Sequence, residues 1–299
     1  MLFSPFHSRL TAAFVLAAAC IHTPIAQAGE TIISTAGFQS PESVLIAGDR
    51  RFVSNIGVKL APTAKDGDGY ISEVSSEGRI IKSRAFPPSG ETLDAPKGMA
   101  ELNGTLYVAD IDRVIGFDLA TGERVFTATA PGDQPSLLND LATTPDGALL
   151  VTDTLRNAVY RLNIGSGSFH LLTKDIPGAN GIAVKNGQTY VAALGFNFGG
   201  GDLFRLDESG HAVRLERSPH GLFDGLAILP DGRLLVSDWV AVDRPVAGAL
   251  LRVGGQGSER VDIGLELHGP ADLAFDSKGG TIWIPVTLDN RIVVVKFLE

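Results

Sequence analysis

The chain has 299 residues, a formal net charge of −9 and one cysteine, Cys20. An acidic chain without a basic run or a Lys/Arg-rich helix excludes nucleic acid and anionic lipid as expected partners. A lone thiol excludes a disulfide scaffold, a Cys-zinc centre and dithiol redox chemistry.

The first element is a targeting segment. His7 and Arg9 precede an apolar run from Leu10 to Cys20, and Ala26-Gln27-Ala28 fits a small-x-small cleavage site. The run is too short to anchor stably in a bilayer. The expectation is a cleaved signal peptide over residues 1–28, which removes Cys20, and a mature domain over 29–299. The expected location is the periplasm or the outside of a bacterial cell, with no membrane attachment after cleavage. A lipid anchor at Cys20 is not expected, because Ala17 stands where a lipobox has Leu.

Beyond that segment one phrase recurs six times, at intervals of about forty to fifty-five residues. It is a turn, an apolar strand, a second turn, and a strand ending in Val-x-Asp or a variant. The phrase starts at Pro41, Pro96, Leu138, Ala179, Phe223 and Pro270. The second strands are read at 51–55, 106–110, 149–153, 189–193, 234–238 and 281–285. Alternating third strands follow, at 159–162, 203–206 and 250–253. Pro145-Asp146-Gly147, Asn186-Gly187 and Pro230-Asp231-Gly232 are the turns between first and second strands. No convincing helix follows the signal segment. Strand repeats of this period predict an all-β, six-bladed propeller with four-stranded blades, folded as one domain.

The last blade is one strand short, because only three residues follow Ile292 to Lys296. Thr31 to Ser34 has no blade of its own and is expected to supply the outer strand of the last one. That pairing closes the ring and removes an open edge. The turns before first strands and the loops after second strands share one face, the top. Its long loops run over 55–69, 195–201 and 239–248. Loops gathered on one face of a rigid scaffold usually form the binding site.

The second position of the phrase reads Glu42, Lys97, Asn139, Asn180, Asp224 and Ala271. Taken singly, Asn and Asp before a strand are ordinary turn residues. Four oxygen donors at one equivalent position form a different pattern. Propeller pseudo-symmetry aims Glu42, Asn139, Asn180 and Asp224 at one axis, as a hard all-oxygen cage suited to calcium. Zinc would prefer His or Cys. Zn2+, Mg2+ and Mn2+ are the alternative ions. Lys97 could pair with Glu42 or Asp140, or bind an anionic substrate; an ion pair is the expected role. Asp110, Asp153 and Asp238 end second strands and are read as turn-fixing, and Asp66 and Asp68 as a turn.

These phrases resemble the senescence marker protein / gluconolactonase / luciferin-regenerating enzyme family of six-bladed propellers, and more distantly paraoxonase and the squid phosphotriesterase. The resemblance lies in Pro41-Glu42-Ser43 opening the first blade, Leu138-Asn139-Asp140 the third, Asn180-Gly181 the fourth and Asp224-Gly225 the fifth. It implies Glu42, Asn180 and Asp224 as ligands of a divalent cation, with Asn139 as fourth ligand or substrate contact. Gluconolactonase-type members often carry a sugar-holding Arg two residues before the third-blade Asn; this chain has Leu137 there.

The reaction this implies is hydrolysis of a lactone or related ester, with the cation polarising the carbonyl. The expected catalytic residues are Asp224, Asn139 and His220, and the expected substrate contacts are Asn139, Lys97 and His268. An uncharged His is a better base than a metal-bound carboxylate. The alternative is a non-catalytic propeller that binds a small molecule or a protein around a structural cation. A strictosidine-synthase-like condensing propeller ranks lower, for want of a catalytic Glu. A small molecule is the expected partner, and the chain is expected to be a monomer or small homo-oligomer.

Overall fold

A computed structural model describes residues 26–27, 31–207 and 209–297. The expected signal segment lies outside the described residues except for Ala26–Gln27, which pairs in parallel with Gly257–Asp262.

Six sheets, each running from an inner to an outer strand, stand around one channel. The inner strands are Pro41–Ala47, Pro96–Leu102, Leu138–Thr143, Ala179–Lys185, Phe223–Ile228 and Ala274–Asp276. Five start where the repeated phrase starts. The sixth regular strand begins four residues late, because its opening residues also bond outside their own blade. There the Asp272 amide donates to the Glu42 carbonyl at 2.9 Å, so the last blade is stitched to the first beside the axis. The second strands are Arg50–Asn55, Thr105–Asp110, Leu149–Asp153, Gln188–Ala193, Leu234–Asp238 and Thr281–Val286, within one residue of the sequence reading.

Thr31–Ala36 runs antiparallel to Arg291–Lys296 and supplies the outer strand of the sixth blade, as its leftover position required. At the foot of the same junction Arg51 Nη2 meets Asp276 Oδ2 at 2.6 Å, with both side chains buried. Short 3-10 turns at Phe196–Phe198 and Thr287–Asp289 are the only helical elements among the described residues.

Six large apolar clusters hold the ring, one at each junction between neighbouring blades. Phe52, Ile71, Met99, Leu106 and Phe117 pack the first blade on the second. Val44, Val53, Trp283 and Val294 close the sixth on the first. The second strands are sandwiched on both faces: every residue of Leu149–Asp153 and Leu234–Asp238 is buried. This explains their unbroken apolar runs. Outer strands meet water, as in the exposed centre of Ile80–Phe86. The hairpin at Asn186-Gly187 has φ of 53° and 76°, the two left-handed residues that a tight turn matching strand twist demands.

Candidate functional site

Five of the six inner strands break register at the same place. The irregularity falls between Pro41 and Ser43, Pro96 and Met99, Leu138 and Leu141, Ala179 and Ile182, and Phe223 and Leu226. A bulge bends the strand and re-aims the side chain it carries. In each case it contains the second residue of the phrase, and the five side chains line one cavity at the channel mouth.

Two devices hold the bulges. A hydroxyl one residue before the end of the second strand accepts the bulge amide: Ser54 from Ser43 at 2.9 Å, Thr152 from Asp140 at 2.9 Å and Ser237 from Gly225 at 2.7 Å. The next residue pins the incoming turn. Asn55 accepts from the Gln39 amide, Asp110 from Ala95, Asp153 from Leu137 and Asp238 from Leu222, at 2.8–3.0 Å. The strand-ending Asp residues therefore fix turns, as read from sequence. Asp68 does the same, accepting from the Val58 amide at 3.0 Å.

Glycine lets the blades approach the axis. A Cβ on Gly181 would lie 2.2 Å from the Asp224 carbonyl oxygen, and one on Gly98 would lie 2.3 Å from Asp140 Oδ1. Backbone and carboxylate occupy the space that a side chain would need.

The hydrogen bonds orient each donor. The Thr154 hydroxyl donates to the Ala179 carbonyl at 2.8 Å, so toward Asn139 it can only accept, and the Asn139 amide presents Nδ2 to it at 3.0 Å. Asn180 Nδ2 donates to the Phe223 carbonyl at 3.3 Å, which leaves its Oδ1 without a hydrogen-bond partner. Trp239 Nε1 donates to Asp224 Oδ2 at 2.7 Å, and Asp224 Oδ1 has no partner. Glu42 Oε2 is buried and unpartnered as well. Buried polar atoms are nearly always satisfied. Of the four unpartnered buried side-chain polar atoms among the described residues, three are oxygens of this site; the fourth is Arg51 Nε.

Charge is crowded here. Burial drives the Glu42 carboxyl well above the usual carboxylate range, and the charges of Asp224 and Asp272 push it the same way. Burial lifts Asp224 to about 7, against the pull of the Trp239 indole and the Asn180 amide. Burial also lifts Asp140 to about 7, although it accepts amides from Ile182 and Leu141 at 2.7 Å. Asp272, which accepts the Ser43 hydroxyl, is raised by burial and by Asp140. One buried ammonium, Lys97, opposes these four carboxyls. A dication at the unpartnered oxygens would relieve the excess, so the donor set fits one. Among the described residues no three His, Cys, Asp or Glu side chains form a metal-binding group; the set relies on the Asn180 amide oxygen.

The cavity measures about 320 Å3. Glu42, Lys97, Asn139, Asn180, Asp224 and Thr287 are its polar lining, and the rest is apolar, from Ile56, Leu60, Pro62, Leu137, Leu194, Phe198, Trp239 and Val242. The three long top loops supply most of that wall. A wider depression of about 790 Å3 lies between the third and fourth blades, but none of the unpartnered buried atoms lines it. His220 and His268 do not line the channel cavity. His220 is largely exposed, 3.5 Å from Asp202, and His268 Nδ1 lies 2.9 Å from Asp289 Oδ1. Lys97 makes no ion pair with Glu42 or Asp140; its ammonium donates to the Ala95 carbonyl at 2.8 Å.

No protein-family model and no curated protein matches this chain. Solved structures do. A candidate gluconolactonase aligns with a TM-score of 0.64 at 18% identity, over 92% of this chain and 94% of that one. A streptogramin B lyase aligns at 0.63 and 14%, over 90% and 97%. A catalytically inactive His-to-Ala variant of virginiamycin B lyase from Staphylococcus aureus, with quinupristin, aligns at 0.57 and 17%, over 89% and 99%. At such identities the likeness establishes the fold alone: a six-bladed propeller structurally like these enzymes.

Sequence reading missed Trp239, Thr154 and Thr287 as supports of the site. A signal for the hydroxyl clamps was present in Val53-Ser54-Asn55, Val151-Thr152-Asp153 and Val236-Ser237-Asp238, where a Ser or Thr precedes the turn-fixing residue each time.

Proposed function

We propose that this protein is a divalent-cation-dependent hydrolase of lactones or related esters, with calcium the expected ion. One observation carries the reading: Glu42 Oε2, Asn180 Oδ1 and Asp224 Oδ1, from three blades, are buried oxygens without partners that line one cavity. Hard oxygen donors with room for further ligands suit calcium. Asn139 completes the set as ligand or substrate contact.

When bound, the cation would polarise the scissile carbonyl and stabilise the developing oxyanion. The chain's own residues do the rest. Asp224 would offer Oδ1 to the cation, while Trp239 holds Oδ2 and so fixes the carboxylate plane. Thr154 holds the Asn139 amide in one orientation. Leu137 and Leu194 put apolar surface where a sugar would need donors.

The absence of an imidazole from the lining favours a second reading, a binding propeller with a structural cation. It also argues against lyase chemistry of the kind that one neighbour loses with a His. The test is a panel of lactones and aryl esters on the purified protein, with and without EDTA, beside Asp224→Ala. Hydrolysis abolished by both treatments supports the proposal. Hydrolysis that survives both overturns it. Inactivity on the whole panel, with calcium still raising the melting temperature, favours the binding propeller.

A further inference from the structure

Lys97 is a buried cation that its surroundings leave underused. Its side chain sits in the second-blade bulge between Glu42 and Asn139 and is 1% exposed. An ammonium carries three donors, and moving it out of water costs several kcal/mol unless charge and hydrogen bonds compensate. Lys97 spends one donor on the Ala95 carbonyl and forms no ion pair among the described residues. Two acids stand near it: Glu42, with which it forms no ion pair, and Asp110, which accepts the Asp94 and Ala95 amides and pairs with Arg113 at 2.8 Å. The remaining donors belong to a residue that lines the cavity.

The walls above it are apolar and held in place. Leu60, Phe198 and Val242 reach from the three long loops into the cavity rim, each at least 40% exposed. Phe198 has φ of 57° and Val240 has φ of 64°, a strained backbone for non-glycine residues and a severe one for a β-branched side chain. Such strain persists only where the surroundings impose it, and it concentrates at ligand sites.

We infer that the ligand of this cavity is an amphiphile: a compact apolar body against the loop-borne walls, and one carboxylate or equivalent oxyanion bound by the Lys97 ammonium. The inference rests on the cavity being the ligand site proposed above. It makes Lys97 a specificity residue, and it separates the substrate from a polyhydroxylated sugar, whose hydroxyls would lie unsatisfied on Leu137, Leu194 and Trp239.

The test uses a matched pair, 4-phenylbutyrate and 4-phenylbutanamide, which differ in charge and hardly in shape. Binding to the full chain is measured calorimetrically in saturating calcium and again in EDTA, for wild type, Lys97→Met and Lys97→Gln. A charge-assisted hydrogen bond in a buried site is worth about tenfold or more in affinity. The expected result is tighter binding of the acid than of the amide in wild type by about that factor. In both variants the preference should fall to near unity, with amide binding retained. Should the amide bind wild type as well as the acid does, the cavity reading stands and the role of Lys97 falls, whatever the variants do. A preference that persists in both variants assigns it to the cation and overturns the role too. If neither compound binds, the amphiphile site fails together with the cavity reading, while calcium binding can still be scored separately.

Discussion

Trp239 Nε1 donates to Asp224 Oδ2 at 2.7 Å, and the other oxygen of that carboxylate has no partner. The indole thus decides which oxygen is free and where it points. Groups that orient a metal ligand are typically worth about 10- to 100-fold in affinity. Trp239→Phe keeps the ring and removes the donor. Calcium affinity measured by calorimetry should fall about tenfold or more, with the circular dichroism spectrum unchanged. Unaltered affinity would reduce Trp239 to a packing role.

Asp140 and Asp224 are raised to about 7 by burial. A carboxyl that holds its proton more tightly folded than unfolded supports the fold below its unfolded pKa, near 4. That support is lost as pH rises through the folded value. Metal-free protein in EDTA should therefore melt at progressively lower temperature between about pH 4 and pH 7. Calcium requires the ionised carboxylate, so its stabilising effect should grow across the same window. Melting curves in EDTA and in calcium at several pH values check both trends. A metal-free melting temperature that rises toward pH 7 would contradict the first.

Gly181→Ala should be severe. Its Cβ would meet the Asp224 carbonyl oxygen at 2.2 Å and the Leu226 amide at 2.9 Å, and backbone cannot swing aside. A loss of about 3 kcal/mol in urea unfolding is expected, the scale of core overpacking. Gly255→Ala is the control, with nothing within 4 Å of its Cβ; it should shift stability by less than about 0.5 kcal/mol.

The buried pair Arg51–Asp276 crosses the junction where the ring closes. Removing one partner strands the other's charge. Asp276→Leu should cost about 3 kcal/mol, whereas Arg51→Met combined with Asp276→Leu should recover much of that loss. Equal losses in the single and double variants would mean that packing, not charge, holds the junction.

The ring of blades was legible because a six-fold phrase repeats its turn chemistry and its apolar runs, and because Thr31 to Ser34 had nowhere else to pair. The convergence of Glu42, Lys97, Asn139, Asn180 and Asp224 on one cavity followed from their shared position in the phrase. Their orientations did not, because these depend on bulges and on partners 15 or more residues away, such as Thr154, Phe223 and Trp239. His220 and His268 were placed on the correct face. Which side of a loop faces the channel is set by local bonds to Asp202 and Asp289, which spacing does not encode. The expected Lys97 ion pair with Glu42 or Asp140 failed for a similar reason: Asp140 is committed to the Ile182 and Leu141 amides, and the Lys97 ammonium turns to the Ala95 carbonyl of its own turn.

The cation site itself is tested most directly by calorimetric titration of calcium into wild-type protein and Asp224→Asn. Wild type should bind one ion saturably at the channel mouth, and Asp224→Asn, nearly isosteric, should weaken that binding at least tenfold with its fold intact. No binding by folded wild type, or equal binding by the two proteins, would contradict a site built on Glu42, Asn180 and Asp224.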